Sequence, residues 1–187
     1  MKSRMFATIA VAYVSAACSG ADATRPLTLS ALCAQKDAVL AEVPFRTIDD
    51  GFEELARLLP GGFGGTTSDS MFLKNVTQAD TARATARALT TCAGDAVPYL
   101  SVVIGAAVRR GDYDWVELRR WYRLMSGQNL VGLVSSDMDE RVNRLAYTFL
   151  TQEALVAFQV RASSLNVPLG ALALSVGSPP VPLNATR

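Results

Sequence analysis

LSVVIGAAVRRGDYDWVELRRWYRLMSGQNLVGLVSSDMDERVNRLAYTFLTQEALVAFQVRASSLNVPLGALALSV, Leu100 to Val176, changes its hydrophobic period from about two to 3.6 and back, twice. The order is strand, helix, strand, strand, helix, strand, a βαββαβ (split βαβ, ferredoxin-like) arrangement with two helices on one face of an antiparallel sheet. Tyr99–Arg109, rich in Val and Ile, reads as the first strand, with Gly105 marking a bulge or a close approach. Asp112 or Asp114 caps the next helix, and Asp114 with Glu117 forms a capping-box variant. Trp115, Leu118, Tyr122 and Met125 fall at helical spacing, widened by Trp121 and Leu124, while Arg119, Arg120 and Arg123 read as a solvated face.

Leu130–Ser136 and Arg144–Leu150 read as strands joined by Asp137–Asn143, with Leu145, Tyr147 and Phe149 pointing inward and Asp139 and Asn143 supplying turn chemistry. Thr151 caps a last helix with Leu155, Phe158, Ala162 and Leu165 on its face, stopped by Asn166 and Pro168. Ala171–Val176 closes the lobe, with Leu172, Leu174 and Val176 on one side, and Ser178–Pro182 leaves it as a proline-stiffened tail.

A smaller α, β-hairpin, α lobe precedes it, so the class is α+β. Leu27–Leu40 reads as a modest helix capped by Ser30 and ended by Pro44. Ile48–Leu59 follows, with Asp49 and Asp50 at its positive end and an apolar face of Phe52, Leu55, Leu58 and Leu59. Gly61–Gly65 lacks the Lys-Ser/Thr pair and leading strand of a phosphate loop, and reads as a flexible turn. A hairpin of Gly65–Ser68 and Met71–Thr77 turns at Asp69-Ser70, and Asp80 caps a helix to Thr91 that exposes Arg83 and Arg87. The chain divides into a signal peptide (1–17), a tether and short helix (18–44), the first lobe (45–98), the second lobe (99–178) and the tail (179–187).

Lys2 and Arg4 ahead of the apolar run Met5–Val14, then Ser15, Ala16 and Ala17, have the form of a secretory signal. Their position before Cys18 is similar to the lipobox of bacterial lipoproteins, which implies acylation of Cys18 and a membrane contact through that anchor; ordinary secretion is the alternative. Cys33 and Cys92 then form an even pair. They read either as a disulfide closing about 60 residues, a bridge contributing roughly 3 to 4 kcal/mol, or as two reduced buried thiols. Removing Lys2 and Arg4 from 18 basic residues leaves 16 against 17 acidic ones, a balance with no footprint for nucleic acid.

The chain contains no histidine, which excludes imidazole-activated nucleophiles and imidazole-based zinc sites. Asp49/Asp50 and Glu53/Glu54 read as helix caps and solvated charges rather than an acid–base pair, because adjacent helical residues diverge by about 100°. Asp137, Asp139, Glu140 and Asn143 lack the glycine and late glutamate of a calcium loop. No enzyme activity and no cofactor are expected.

Asp112-Tyr113-Asp114-Trp115-Val116-Glu117-Leu118-Arg119-Arg120-Trp121, followed by Leu133–Leu145 with its Asp139, Asn143 and Leu145, resembles the pro-region of secreted bacterial serine proteases of the alpha-lytic protease and streptogrisin type, here without the protease domain. Phe52–Arg57 with Pro60–Gly65 looks like a segment found upstream of that module in secreted bacterial proteins. The resemblance covers about 65 residues well and about 45 weakly. It implies a protein-binding domain acting as folding assistant or inhibitor in trans, with a secreted serine protease or another envelope protein as partner. The implied contact surface is the edge carrying Leu172, Leu174 and Val176 and the tail carrying Pro179, Pro180 and Val181. The other expectation is a structural or envelope-associated lipoprotein.

Overall fold

The computed structural model describes residues 28–42, 47–92 and 99–177. Cys18, Pro44 and the tail with Pro179, Pro180 and Val181 lie outside them. Helix α1 (Leu29–Glu42) starts at Thr28, whose hydroxyl accepts the Ala31 N–H at 3.3 Å; Ser30, the expected cap, is already inside the first turn. Helix α2 (Ile48–Leu58) starts with a capping box, in which Thr47 accepts the Asp50 N–H and Asp50 accepts the Thr47 N–H. Strands β1 (Phe63–Thr66) and β2 (Ser70–Leu73) form an antiparallel hairpin whose turn is Thr67–Asp69. A 3-10 turn capped by Asn75 leads into α3 (Ala79–Leu89), so Asp80 lies in the first turn rather than capping it. Arg83 is half-buried and donates to the Ala106 carbonyl at 2.7 Å, leaving only Arg87 exposed.

The expected strand Tyr99–Arg109 is instead a short helix, α4 (Leu100–Gly105), followed by strand β3 (Ala107–Arg110). Strand propensity favours Val102-Val103-Ile104, but Leu100 and Val103 are the positions buried, a spacing of three that packs the segment on α3. Tertiary packing overrides the local preference. Strand β3 pairs in parallel with β2, Ser70 opposite Ala107 through Leu73 opposite Arg110.

Asp114 and Glu117 form the expected capping box at the head of α5 (Trp115–Ser126). Trp115, Leu118, Trp121 and Met125 are buried, whereas Leu124 faces solvent. Strands β4 (Leu133–Asp139) and β5 (Arg144–Phe149) are antiparallel, with Leu145, Tyr147 and Phe149 buried as expected. Thr151 caps α6 (Gln152–Ser164), which ends where Asn166 takes a left-handed conformation at φ 56°. A 3-10 turn then delivers β6 (Leu172–Val176), parallel to β5.

The fold is thus α+β, and the order β3, α5, β4, β5, α6, β6 is the expected one. The pairing differs, because β3 belongs to the first sheet, β1-β2-β3, and the second is β4-β5-β6. Each sheet is an antiparallel hairpin plus a helical crossover to a parallel third strand, and each is preceded by a capping-box helix. The chain therefore repeats one α-β-β-α-β pattern, the first copy carrying the extra short helix α4 in its crossover, and the leading helices of the two units, α2 and α5, pack on each other. One continuous core runs through both, from Leu55 and Phe63 through Trp115 and Leu118 to Tyr147 and Phe158.

Asn143 joins the units. Buried at 1% exposure and left-handed at φ 55°, it donates from Nδ2 to the carbonyls of Gly64 and Tyr113, both at 2.9 Å. Its Oδ1 accepts the Asp112 and Tyr113 N–H groups at 2.9 and 3.0 Å. All the amide's bonding capacity serves the backbone, tying the β4–β5 turn to β1 and to the entry of α5. Gly64 is required here, since a Cβ would lie 2.5 Å from the Tyr113 carbonyl and 2.6 Å from Asn143 Nδ2. Part of the glycine run read as a flexible turn is therefore strand, closed against its neighbours. Cys33 of α1 and Cys92 beyond α3 form a disulfide, with Cα atoms 5.4 Å apart.

Candidate protein-binding edge

Two three-stranded sheets present four edges, and side chains treat them differently. An unpaired edge offers free N–H and C=O groups to any extended chain unless charge, a bulge or a covering element blocks it. Strand β1 is buried at every position, and its Gly64 carbonyl is taken by Asn143. Strand β3 exposes Arg109 and Arg110. Strand β4 is irregular between Leu133 and Ser135 and carries Asp137 and Asp139.

Among the described residues strand β6 has none of these devices: its sequence, Leu-Ala-Leu-Ser-Val, is without charge and its register with β5 is regular. Its register explains how the side chains fall. Leu172 lies opposite Leu145, Leu174 opposite Tyr147 and Val176 opposite Phe149, so all three share the helix-covered face. Their β5 partners are at most 1% exposed, yet Leu172 and Leu174 are only half-buried and Val176 is 48% exposed. The apolar layer formed by α5, α6 and β5 therefore runs out one strand too early. On the other face, Ser135, Thr148 and Ser175 make one row of hydroxyls, with Thr148 and Ser175 hydrogen-bonded at 2.9 Å, and Ala146 and Ala173 make the next. Small side chains on this face leave the strand edge accessible from that side. An incoming strand with apolar residues at every second position would continue both patterns.

The acidic residues weighed in the sequence have other tasks. Asp139 accepts the Arg141 N–H at 3.0 Å and its Nε at 3.2 Å, Asp137 accepts the Met138 N–H, and Asn143 serves the backbone. Among the described residues, no three acidic, thiol or imidazole groups are placed to hold a metal ion.

Glu53 and Glu54 overturn their reading as solvated charges, for they are 1% and 0% exposed. Arg119, expected in solvent, is mostly buried and bonds Asp49 at 2.7 Å and Asp50 at 2.9 Å. Arg123 and Arg57 hold Glu53 at 2.7 and 2.8 Å. Of the expected basic face, Arg120 is solvated and Arg123 is exposed but paired. Burial raises the Asp49 carboxyl above its usual range despite Arg119. Burial also acts on Asp50, but the Thr47 hydroxyl and Arg119 outweigh it and hold that carboxyl below its usual range. Chemically this cluster is an ion-paired seam between α2 and α5.

Nothing in the sequence distinguished Glu53 and Glu54 from surface acids, although the four-residue spacing of Arg119 and Arg123 matches that of Asp49 and Glu53 on the facing helix. No family model, curated protein or solved structure matches this chain. Among the described residues no helix is long and apolar enough to cross a membrane.

Proposed function

We propose that this chain is a non-enzymatic, exported protein-binding domain that captures an extended segment of another protein by adding it to the free edge of β6. The observation that carries the reading is the contrast between β6 and the other three edges: among the described residues it alone lacks charge, cover and irregularity, and its inward side chains Leu172, Leu174 and Val176 are left half-open. Backbone pairing supplies affinity in such a contact, and alternate side chains supply selectivity. The signal-like amino terminus, the lipobox-like Cys18 and the disulfide agree with an oxidising, extracytoplasmic setting. The resemblance to protease pro-regions points to a secreted chymotrypsin-fold serine protease as the partner, inhibited or assisted in folding.

The test is titration of the oxidised protein against secreted bacterial proteases of that type, following hydrolysis of a peptide substrate and complex formation by calorimetry. Inhibition or a stoichiometric complex is expected, weakened at least tenfold by the double substitution Leu174→Lys, Val176→Lys with an unchanged melting temperature. Absence of binding, or binding indifferent to the substituted edge, refutes the reading.

A further inference from the structure

Helix α2 contains one carboxylate that the ion-paired seam does not serve. Glu54 is 0% exposed, and neither of its oxygens has a hydrogen-bond donor. It follows Glu53 by about 100° of helix rotation, which turns it away from the arginines that hold Glu53. Among the described residues, the neighbouring charged groups of α1, α2 and α5 have partners of their own. On α2 itself, Asp50 stands one turn before Glu54 and adds like charge. On α5, Arg119 is bound to Asp49 and Asp50 and Arg123 to Glu53, while Arg57 of α2 is shared between Glu53 and Glu42. On α1, Lys36 is buried with its ammonium 3.6 Å from Asp37. Strand β1, Phe63–Thr66, brings no ionisable side chain.

An ionised carboxylate in such a place has lost its hydration and gained no donor, whereas the neutral acid loses far less. The structure assigns to Glu54 the role of a proton-operated latch: protonated, it lets α2 lie closed in the core, and ionised, it forces the layer of α1 and α2 to admit water. The ligand of this site is the proton, and the response is an opening confined to the first unit, remote in sequence from the β6 edge.

The direction follows from linkage. Burial, reinforced by Asp50, pushes the Glu54 carboxyl from 4.5 up to about 7. A folded state that binds the proton more tightly than the unfolded chain is favoured below the unfolded value and loses that advantage as pH rises to the folded one. Each unit of displacement is about tenfold in the equilibrium, so closing weakens by up to roughly 300-fold between pH 4.5 and 7 and changes little above.

The experiment uses the full oxidised protein. Carboxyl carbon NMR follows the Glu54 titration, and hydrogen-exchange protection factors of α1 and α2 are compared at pH 5.5 and 8.5 for the native chain and for Glu54→Gln, or Glu54→Leu should the amide not fold. A Glu54 midpoint near 7 is expected, with protection in α1 and α2 falling at least tenfold at the higher pH in the native chain and not in the variant. A midpoint below about 5, equal protection at both pH values, or an equal loss in the variant overturns the proposal.

Discussion

Substituting Asn143 by Ala tests how the two units are joined. The side chain makes four hydrogen bonds at 2.9–3.0 Å, two given and two received. A hydrogen bond contributes about 1 kcal/mol net, so losing four costs about 4 kcal/mol, and each buried group left without a partner adds to this unless water reaches it. Alanine must also adopt φ 55°, where a Cβ costs about 1 kcal/mol that asparagine partly avoids. The expected destabilisation is therefore about 4–6 kcal/mol, a large part of the 5–15 kcal/mol typical of a folded chain. Urea unfolding followed by tryptophan fluorescence measures it, because Trp115, 1% exposed, lies beside the clasp. Asn143→Gly separates the terms: it removes the backbone strain but not the lost bonds, and is expected to recover about 1 kcal/mol. A loss below about 1 kcal/mol for Asn143→Ala, or native stability for Asn143→Gly, refutes the clasp as the junction.

Two further outcomes are expected. The Tyr147 hydroxyl is buried without a hydrogen-bond partner, and burial raises its ionisation above the usual range; Tyr147→Phe is expected to leave stability unchanged or raise it by up to about 1 kcal/mol in thermal unfolding, and a loss above that would reveal a bond to water. Opening the Cys33–Cys92 bridge, by reductant or by serine at both positions, frees a separation of 59 residues and is expected to cost about 4 kcal/mol in urea unfolding, a loss under 1 kcal/mol contradicting the chain-entropy account.

What could be read from the sequence was local. The Asp114–Glu117 and Thr151 caps, the alternation of Leu145, Tyr147 and Phe149, and the stop at Asn166 all act within a few residues and were found where expected. The Leu172, Leu174 and Val176 face was legible in the same way, by its period of two. What escaped depends on distant partners. Residues 100–105 look like strand until α3 covers Leu100 and Val103. The place of β3 is set by β2, across a crossover of more than 30 residues that sequence period cannot reveal. Asn143 reads as a turn residue, and its acceptor Gly64 lies 79 positions away. Glu54 has the same neighbours in sequence as any surface acid, and only packing makes it unusual.

The seam between α2 and α5 bears on symmetry. Two identical α-β-β-α-β units, meeting as separate copies, would present the same central helix twice and the same outer edge twice. Here the acids, Asp49, Asp50 and Glu53, sit on one central helix and their arginine partners, Arg119 and Arg123, on the other. Two copies of α2 would repel across such a junction, as would two copies of α5, so each half recognises its complement and rejects its double. Covalent linkage of the two units also frees the outer edges from equivalence. One, β3, carries Arg109 and Arg110, while the other, β6, stays bare. The corresponding outer edges of a symmetric pair would be alike; those of the fused pair differ in charge.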